Sequence, residues 1–432
     1  MKALIQAQLK KKVRKLIAKH KPIVIAVTGS VGKTSARNVI ATVLSEKYRV
    51  RTTIENYNNE FGVPLTILGE KSPGRSVFGW LSILFKKVKD LPEVFVLEYA
   101  IDRPGDMNYL CDIAEPNIGV LTRISPVHAE YFRSVEALAE EKAVLLERIA
   151  KDGVAVLNAD DSLVLGVGGH ASVSVLKYGM SETADIRAVD YELATREDFS
   201  FEPGETVSEV RFNAKTESTE FPVRLINLLG KTAVHAVLPG IAIGLHLGLS
   251  EQEILAGLEK SELEPGRMNP IAGIKGSLII DSSYNAAPAS MQAALDVLHE
   301  FHPAESAKRV AVLGSMGELG KYAEQEHRLI GLKCAEVGVD LLVTVGELAR
   351  DIRRSAIEAG ISEDKTEHFD QSRDAGRWMD AHVKKGDIIL VKGSQSSRME
   401  WVVKDLMAEP LRNKELLVRQ SEKWVEGEYT QE

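Results

Sequence analysis

Val27-Thr28-Gly29-Ser30-Val31-Gly32-Lys33-Thr34-Ser35 stands between the apolar run Ile23-Val24-Ile25-Ala26 and the helical pattern Val39-Ile40-Ala41-Thr42-Val43-Leu44. A buried strand, a glycine-bearing turn and a helix start converge there. They bring backbone N–H groups and the positive end of a helix dipole to one point, which makes a seat for phosphate. Lys33 adds a cation for the outer phosphates and Thr34 a hydroxyl for Mg2+. The generic motif carries another glycine five residues before Gly32, where this chain has Val27.

Three more residues have types suited to such a site. Glu98 ends the apolar run Val94-Phe95-Val96-Leu97, at a strand's carboxyl end, where ligands of open α/β sheets collect. His128 follows the strand-like Ile118–Leu121. Mg2+ takes carboxylate and phosphate oxygens readily and an imidazole less typically. Lys142 lies on a helical stretch over 135–149, among Glu136, Glu140 and Glu141. Each also has an ordinary reading: a solvated strand-end charge, a loop histidine, a surface lysine in helix ion pairs.

These residues need strands and helices to place them. From Pro22 onward, strand-like runs at 24–27, 94–97, 118–121 and 154–157 alternate with helical ones. Such alternation predicts a mainly parallel sheet flanked by helices. Between Ser172 and Asn227, short alternating strands such as 186–189 and 207–212 predict an antiparallel excursion, closed by helices over 238–249 and 251–263. Glu264-Pro265-Gly266-Arg267 marks a boundary. New α/β units follow, with strands near 278–281, 309–313, 341–345 and 388–391 and a last helix over 398–407.

The expected division is a basic amphipathic helix over 1–21, a central α/β phosphate-loop domain over 22–263 and a Rossmann-like α/β domain over 264–432. In the first block Leu4, Ile5, Leu9, Val13, Leu16 and Ile17 recur at helical spacing among lysines. That predicts a helix packed on the next domain, with membrane-surface binding the lesser reading.

At 432 residues, 44% apolar and 27% charged, the chain has material for two or three ordered domains. A net charge of -8 leaves no cation excess for a nucleic-acid backbone. Cys111 and Cys334 make neither a disulfide framework nor a four-cysteine zinc site. No apolar run approaches a bilayer span, and the basic N-terminus lacks an apolar signal core. A cytoplasmic location is expected.

Taken in order, these segments resemble the Mur ligases, which use ATP to join an amino acid or peptide to a growing cell-wall peptide. The branch that adds D-alanyl-D-alanine is the nearest in pattern. Thr28–Thr34 matches that family's phosphate loop, and Asn56-Tyr57-Asn58-Asn59-Glu60-Phe61-Gly62-Val63-Pro64-Leu65-Thr66 its substrate loop. Glu98 and His128 stand at its metal-binding positions, and Lys142 at the position of its carbamylated lysine. Asn158-Ala159-Asp160-Asp161, Gly266-Arg267-Met268, the stretches 281–288 and 313–320, His327 and Val391-Lys392-Gly393-Ser394 continue the match over about residues 22 to 410.

The resemblance implies ATP and Mg2+ as cofactors and a small-molecule or peptide substrate. It implies ATP contacts at Gly29, Ser30, Val31, Gly32, Lys33, Thr34, Ser35, Arg267, Asp281 and Asn285, and substrate contacts at Asn58, Asn59 and Pro64. Thr34, Glu98, His128 and Lys142 would serve the metal, and Lys33, His128 and Lys142 catalysis. A carboxylate would be activated as an acyl phosphate and attacked by an amine, with domain closure gating the reaction.

The chain departs from the family in several places. A domain holding uridine diphosphate precedes the phosphate loop in these enzymes, against about twenty residues here, too few to fold alone. Recognition of UDP in the family's manner is therefore not expected, and a partner chain could supply that domain. Thr232 and Ala236 stand for the family's nucleoside-contacting His and Asn, and Ser282 and Ala287 for an Asp and an Asn. Ala100 stands for a Gly and Arg123 for an Asn. Two further readings stay open: a degenerate nucleotide-binding subunit serving a partner, and a ligase on a non-UDP substrate, folylpolyglutamate-like or lipid-linked. The segment 78–89 is expected to be a helix covering the absent domain's site, ahead of contact with a membrane.

Overall fold

Strict alternation along Ile23–Thr28 puts Ile25 and Val27 on one face of a sheet and Val24 and Ala26 on the other, so this strand must be covered on both sides. The computed structural model describes residues 2–53, 57–88, 90–125, 132, 134–196, 199, 201, 205–421 and 424. His128 lies outside them.

The first sheet contains β1 (Ile23–Thr28), β2 (Val50–Thr52), β3 (Val94–Glu98), β4 (Ile118–Leu121), β5 (Val154–Asn158), β6 (Ser174–Gly179), β7 (Ile186–Thr195), β8 (Ser208–Lys215) and β9 (Glu220–Ile226). Their order is β2-β3-β1-β4-β5-β6-β7-β8-β9. Pairing is parallel from β2 through β7 and antiparallel from β7 to β9. Helices Lys33–Leu44, Gly230–His246 and Glu251–Glu259 cover one face. The N-terminal helix Lys2–His20 and helices Gly62–Leu68 and Asp106–Ile113 cover part of the other, with Leu9 and Val13 buried in that core.

The second sheet contains β10 (Asn269–Ala272), β11 (Leu278–Ser282), β12 (Arg309–Gly314), β13 (Leu341–Val345), β14 (Thr366–Phe369) and β15 (Ile388–Lys392), in the order β10-β11-β15-β12-β13-β14. Only β10 runs antiparallel to its neighbour. Cys111 and Cys334 are both buried, one in the core of each half, and burial pushes each thiol up to about 12.

The helix expected to begin at Leu238 begins at Gly230 and runs through Pro239. Proline removes one helical hydrogen bond, but Val234, Val237, Leu238 and Ile241 are fully buried around it, and that packing carries the helix across. No helix among the described residues is long and apolar enough to cross a membrane.

Candidate active site

Two glycines shape the turn after β1. Gly29 has φ 150°, and a Cβ there would lie 2.0 Å from Thr122 Oγ1. Gly32, at φ 83°, is the left-handed residue from which helix Lys33–Leu44 starts. The exit of β4 holds the turn. Thr122 Oγ1 donates to Val31 O (2.7 Å), Ser30 Oγ donates to Ser125 O (3.0 Å), and Ser125 N–H donates to Ser30 Oγ (3.0 Å).

Two lysines meet at one carbonyl of this turn. Lys33 Nζ donates to Gly29 O at 2.9 Å, and Lys142 Nζ to the same oxygen at 3.0 Å. Burial lowers the pKa of both. For Lys142, only 2% exposed, burial and then the charge of Lys33 push it well below the ordinary lysine value. The surface reading of Lys142 is thereby corrected: Leu138, Lys142 and Leu145 all point into the protein from one side of helix Val135–Glu147.

Glu98, at the end of β3, is buried beside them. Its Oε2 accepts from Thr34 Oγ1 (2.8 Å) and Arg37 Nη1 (3.5 Å), and its Oε1 from Asn58 Nδ2 (3.1 Å). Burial is the largest influence and raises its pKa. Lys33, Arg37 and the hydrogen bonds from Asn58 and Thr34 together outweigh it, so the carboxyl sits below its usual value and is ionised. Among the described residues no three His, Cys, Asp or Glu side chains gather into a metal cluster. A buried carboxylate next to a hydroxyl is still a fitting donor pair for Mg2+, which keeps waters and takes its remaining oxygens from phosphates.

The second half of the chain reaches this point through the segment after residue 263. Arg267 Nη2 donates to Thr34 Oγ1 (3.1 Å), and its guanidinium lies 4.1 Å from the Tyr284 ring centroid. Glu264 accepts from Arg37 Nη2 (2.9 Å) and pairs with Arg267 (3.4 Å). Arg37 is 1% exposed and so bridges the two carboxylates Glu98 and Glu264.

At the carboxyl end of β11, Asp281 is fully buried and its carboxyl is pushed up to about 6, chiefly by burial. On the neighbouring β15, Lys392 Nζ donates to Ser282 Oγ (3.1 Å) and Asn285 O (2.7 Å), and burial, ahead of repulsion from Arg267, lowers it to about 7. His327 is buried, accepting from Met316 N–H (2.9 Å), a framework role for the loop after β12.

The structure thus gathers the 29–35 turn, Glu98, Lys142, Asn58 and Arg267. Pro64 is buried inside helix Gly62–Leu68. Asn59 lines a groove of about 580 Å³ that also takes in Lys2, Tyr57, Phe61, Arg75 and Trp80. Asp281 and Asn285 stand at the end of β11 in the second sheet. Sequence reasoning passed over Arg37, Glu264, Thr122 and Ser125. Arg37 had a signal: it falls four residues after Lys33, on the same helix side.

The chain resembles known proteins over nearly all of its length. The Mur ligase middle domain matches residues 27–243, and the glutamate ligase domain of Mur ligases residues 266–395. The UDP-N-acetylmuramoyl-tripeptide–D-alanyl-D-alanine ligase of Bacillus subtilis is 29% identical over 389 residues, covering 90% of this chain and 76% of that protein. The protein of the same name from Synechocystis is 31% identical over 388 residues, with 89% and 75% covered. Among solved structures, MurF of Thermotoga maritima in complex with ADP superposes with a TM-score of 0.75 at 26% identity, covering 95% of this chain and 84% of that one. MurF of Acinetobacter baumannii gives 0.76 at 26% identity, with 93% and 79% covered. With both halves matched in order and the phosphate turn, Glu98, Lys142 and Arg267 assembled at their meeting point, the chain belongs to the Mur ligase family.

Proposed function

We propose that this Mur ligase joins a peptide carboxylate to the amine of a D-alanyl-D-alanine-like dipeptide in cell-wall peptide synthesis, with ATP converted to ADP and phosphate. The reading rests on one observation above all: Lys33, Lys142, Thr34 and Arg267 converge on a single phosphate turn beside an ionised Glu98. A substrate carboxylate oxygen attacks the γ-phosphorus, and the bond to the ADP oxygen breaks. The amine nitrogen then attacks the acyl carbon, the bond from that carbon to the phosphate oxygen breaks, and phosphate leaves with the proton the nitrogen gives up as the amide forms.

The protein's part is positioning and charge. Lys33 exchanges its hydrogen bond to Gly29 O for the phosphate oxygens. Arg267 brings a second cation from the other half of the chain. Mg2+, held by Glu98 and Thr34, would supply neutralisation of phosphate charge. Lys142, whose ammonium form burial and the charge of Lys33 both oppose, is suited to add carbon dioxide with loss of a proton, which would place an anion beside Lys33. Asn58 and Asn59 place the peptide substrate, and Asp281 and Asn285 stand toward the nucleotide. A cytoplasmic site of action, where ATP is held, fits this reading. The chain covers about three quarters of the curated relatives, and the comparisons give no support to a partner chain completing it.

The test is phosphate release from ATP with peptide carboxylates, with and without a UDP-linked head, and D-alanyl-D-alanine, the product being weighed by mass spectrometry. Lys33→Ala should reduce turnover by about a hundredfold or more. Undiminished release in that variant would sink the assignment.

A further inference from the structure

Helix Val77–Phe85 is apolar nearly all round, yet the protein covers only one side of it. Ile83 is buried, and Trp80 and Leu84 pack into the core that holds Leu9 and Val13 of the N-terminal helix. Lys12 of that helix closes the C-terminal end, its Nζ donating to the carbonyls of Ile83 (2.6 Å), Leu84 (3.1 Å) and Lys86 (2.6 Å). The remaining side is open. Val77, Phe78, Leu81 and Phe85 are 45%, 85%, 43% and 81% exposed. At helical spacing the four fall within an arc of about 100°, so they form one stripe.

The two segments that build this surface are themselves basic, although Lys2, Lys10 and Lys86 are paired with Glu60, Asp112 and Glu70. Residues 1–21 carry eight Lys and Arg and no Asp or Glu, and residues 71–89 five and none, in a chain whose net charge is -8. Lys11, Lys15 and Lys19 recur every fourth residue on the N-terminal helix and are exposed, and Leu4 on the same side is 65% exposed. A short helix with bare aromatics, packed against a lysine-bearing helix, has the make-up of an element that lies in a lipid interface. Nine residues are far too few to span a bilayer. A second copy of the chain is a poor occupant, because a two-fold contact would set this basic patch against itself.

We propose that the N-terminal helix and helix Val77–Phe85 together form a peripheral binding surface for anionic phospholipid. Phe78 and Phe85 enter the headgroup region, and the lysines face the lipid phosphates. The groove beside Asn59, Lys2 and Trp80 then opens next to the bilayer.

The full chain should be sedimented with vesicles of phosphatidylcholine alone and with vesicles carrying about 30 mol % phosphatidylglycerol. It should pellet with the anionic vesicles and release as salt rises. Phe78→Ser with Phe85→Ser should weaken that binding about tenfold or more. Lys11→Gln with Lys15→Gln and Lys19→Gln should abolish the preference for anionic lipid. Phosphate release on soluble substrates, and the circular dichroism spectrum, should be unchanged in both variants. A chain that stays in the supernatant with anionic vesicles at low salt overturns the proposal, as does equal binding to both vesicle types. So does a dimer in sedimentation velocity that Phe78→Ser with Phe85→Ser dissolves, since the stripe would then belong to a second copy.

Discussion

Lys142 is the residue whose setting departs most from an ordinary lysine. An amine adds carbon dioxide only when neutral, and here burial and Lys33 both oppose its charge. Lys142→Ala should therefore lower turnover by about a hundredfold or more, with partial recovery in millimolar short-chain carboxylates that occupy the vacated space. Intact-mass measurement under bicarbonate should show the carbamate on wild type alone. The burial of Lys142 was present in the sequence as the i, i+4, i+7 series Leu138, Lys142, Leu145, but the acidic residues around it drew the eye to the surface. Asp281 carries a different expectation. Its carboxyl is raised from 3.8 to about 6, so the folded chain keeps a proton that the unfolded chain has released. The associated stability is full below pH 3.8 and is lost as pH rises through about 6. Asp281→Asn should remove that slope and stabilise the protein above pH 7 by up to about 3 kcal/mol relative to wild type, read from urea midpoints at pH 4 and pH 7.5.

Among the elements, helix Lys33–Leu44 links the phosphate turn to the start of the second half. Arg37 holds Glu98 on one side and Glu264 on the other while almost fully buried. Removing it leaves buried carboxylate without its partner, so Arg37→Met should destabilise by about 3–5 kcal/mol. A double-mutant cycle with Glu264→Gln would separate the Glu264 share by urea unfolding. The loop that bears Asn58 and Asn59 is tied as tightly: a Cβ on Gly62 would lie 2.2 Å from Tyr57 Cα and 2.3 Å from its carbonyl carbon. Gly62→Ala should disturb Asn58 and Asn59 and raise KM for the peptide substrate more than that for ATP, by steady-state kinetics with each substrate varied. Long periodic runs such as β1, β3, β4 and β13 were legible to within a residue or two, because a strand buried on both faces must be continuously apolar. Strands β2, β10 and β14 were not. They have three or four residues, and it is pairing with a neighbour, not local composition, that makes them strands. The contacts at Arg267 and Arg37 were hidden for the same reason, since they join residues more than two hundred positions apart.

Across the whole molecule, the two halves meet, among the described residues, around two clusters. One is the Arg37, Glu264 and Arg267 cluster. The other is where Leu228 belongs to the first core and Leu229 to the second, with Tyr191 donating to Glu300 nearby. A ligand that bridges the halves stabilises both, so Mg2+-ATP should raise Tm in wild type. Arg267→Ala should lose most of that rise while shifting the ligand-free Tm by only about 1–3 °C, by differential scanning fluorimetry. The two sulfhydryls leave the relation between the halves open to selective labelling. Cys111 and Cys334 are each sealed in a core and protonated at any working pH, so neither offers the thiolate that maleimides require. Dyes attached at cysteines introduced one in each half would consequently label alone, and energy transfer between them with and without Mg2+-ATP would test, on an otherwise native chain, whether the halves close on the nucleotide.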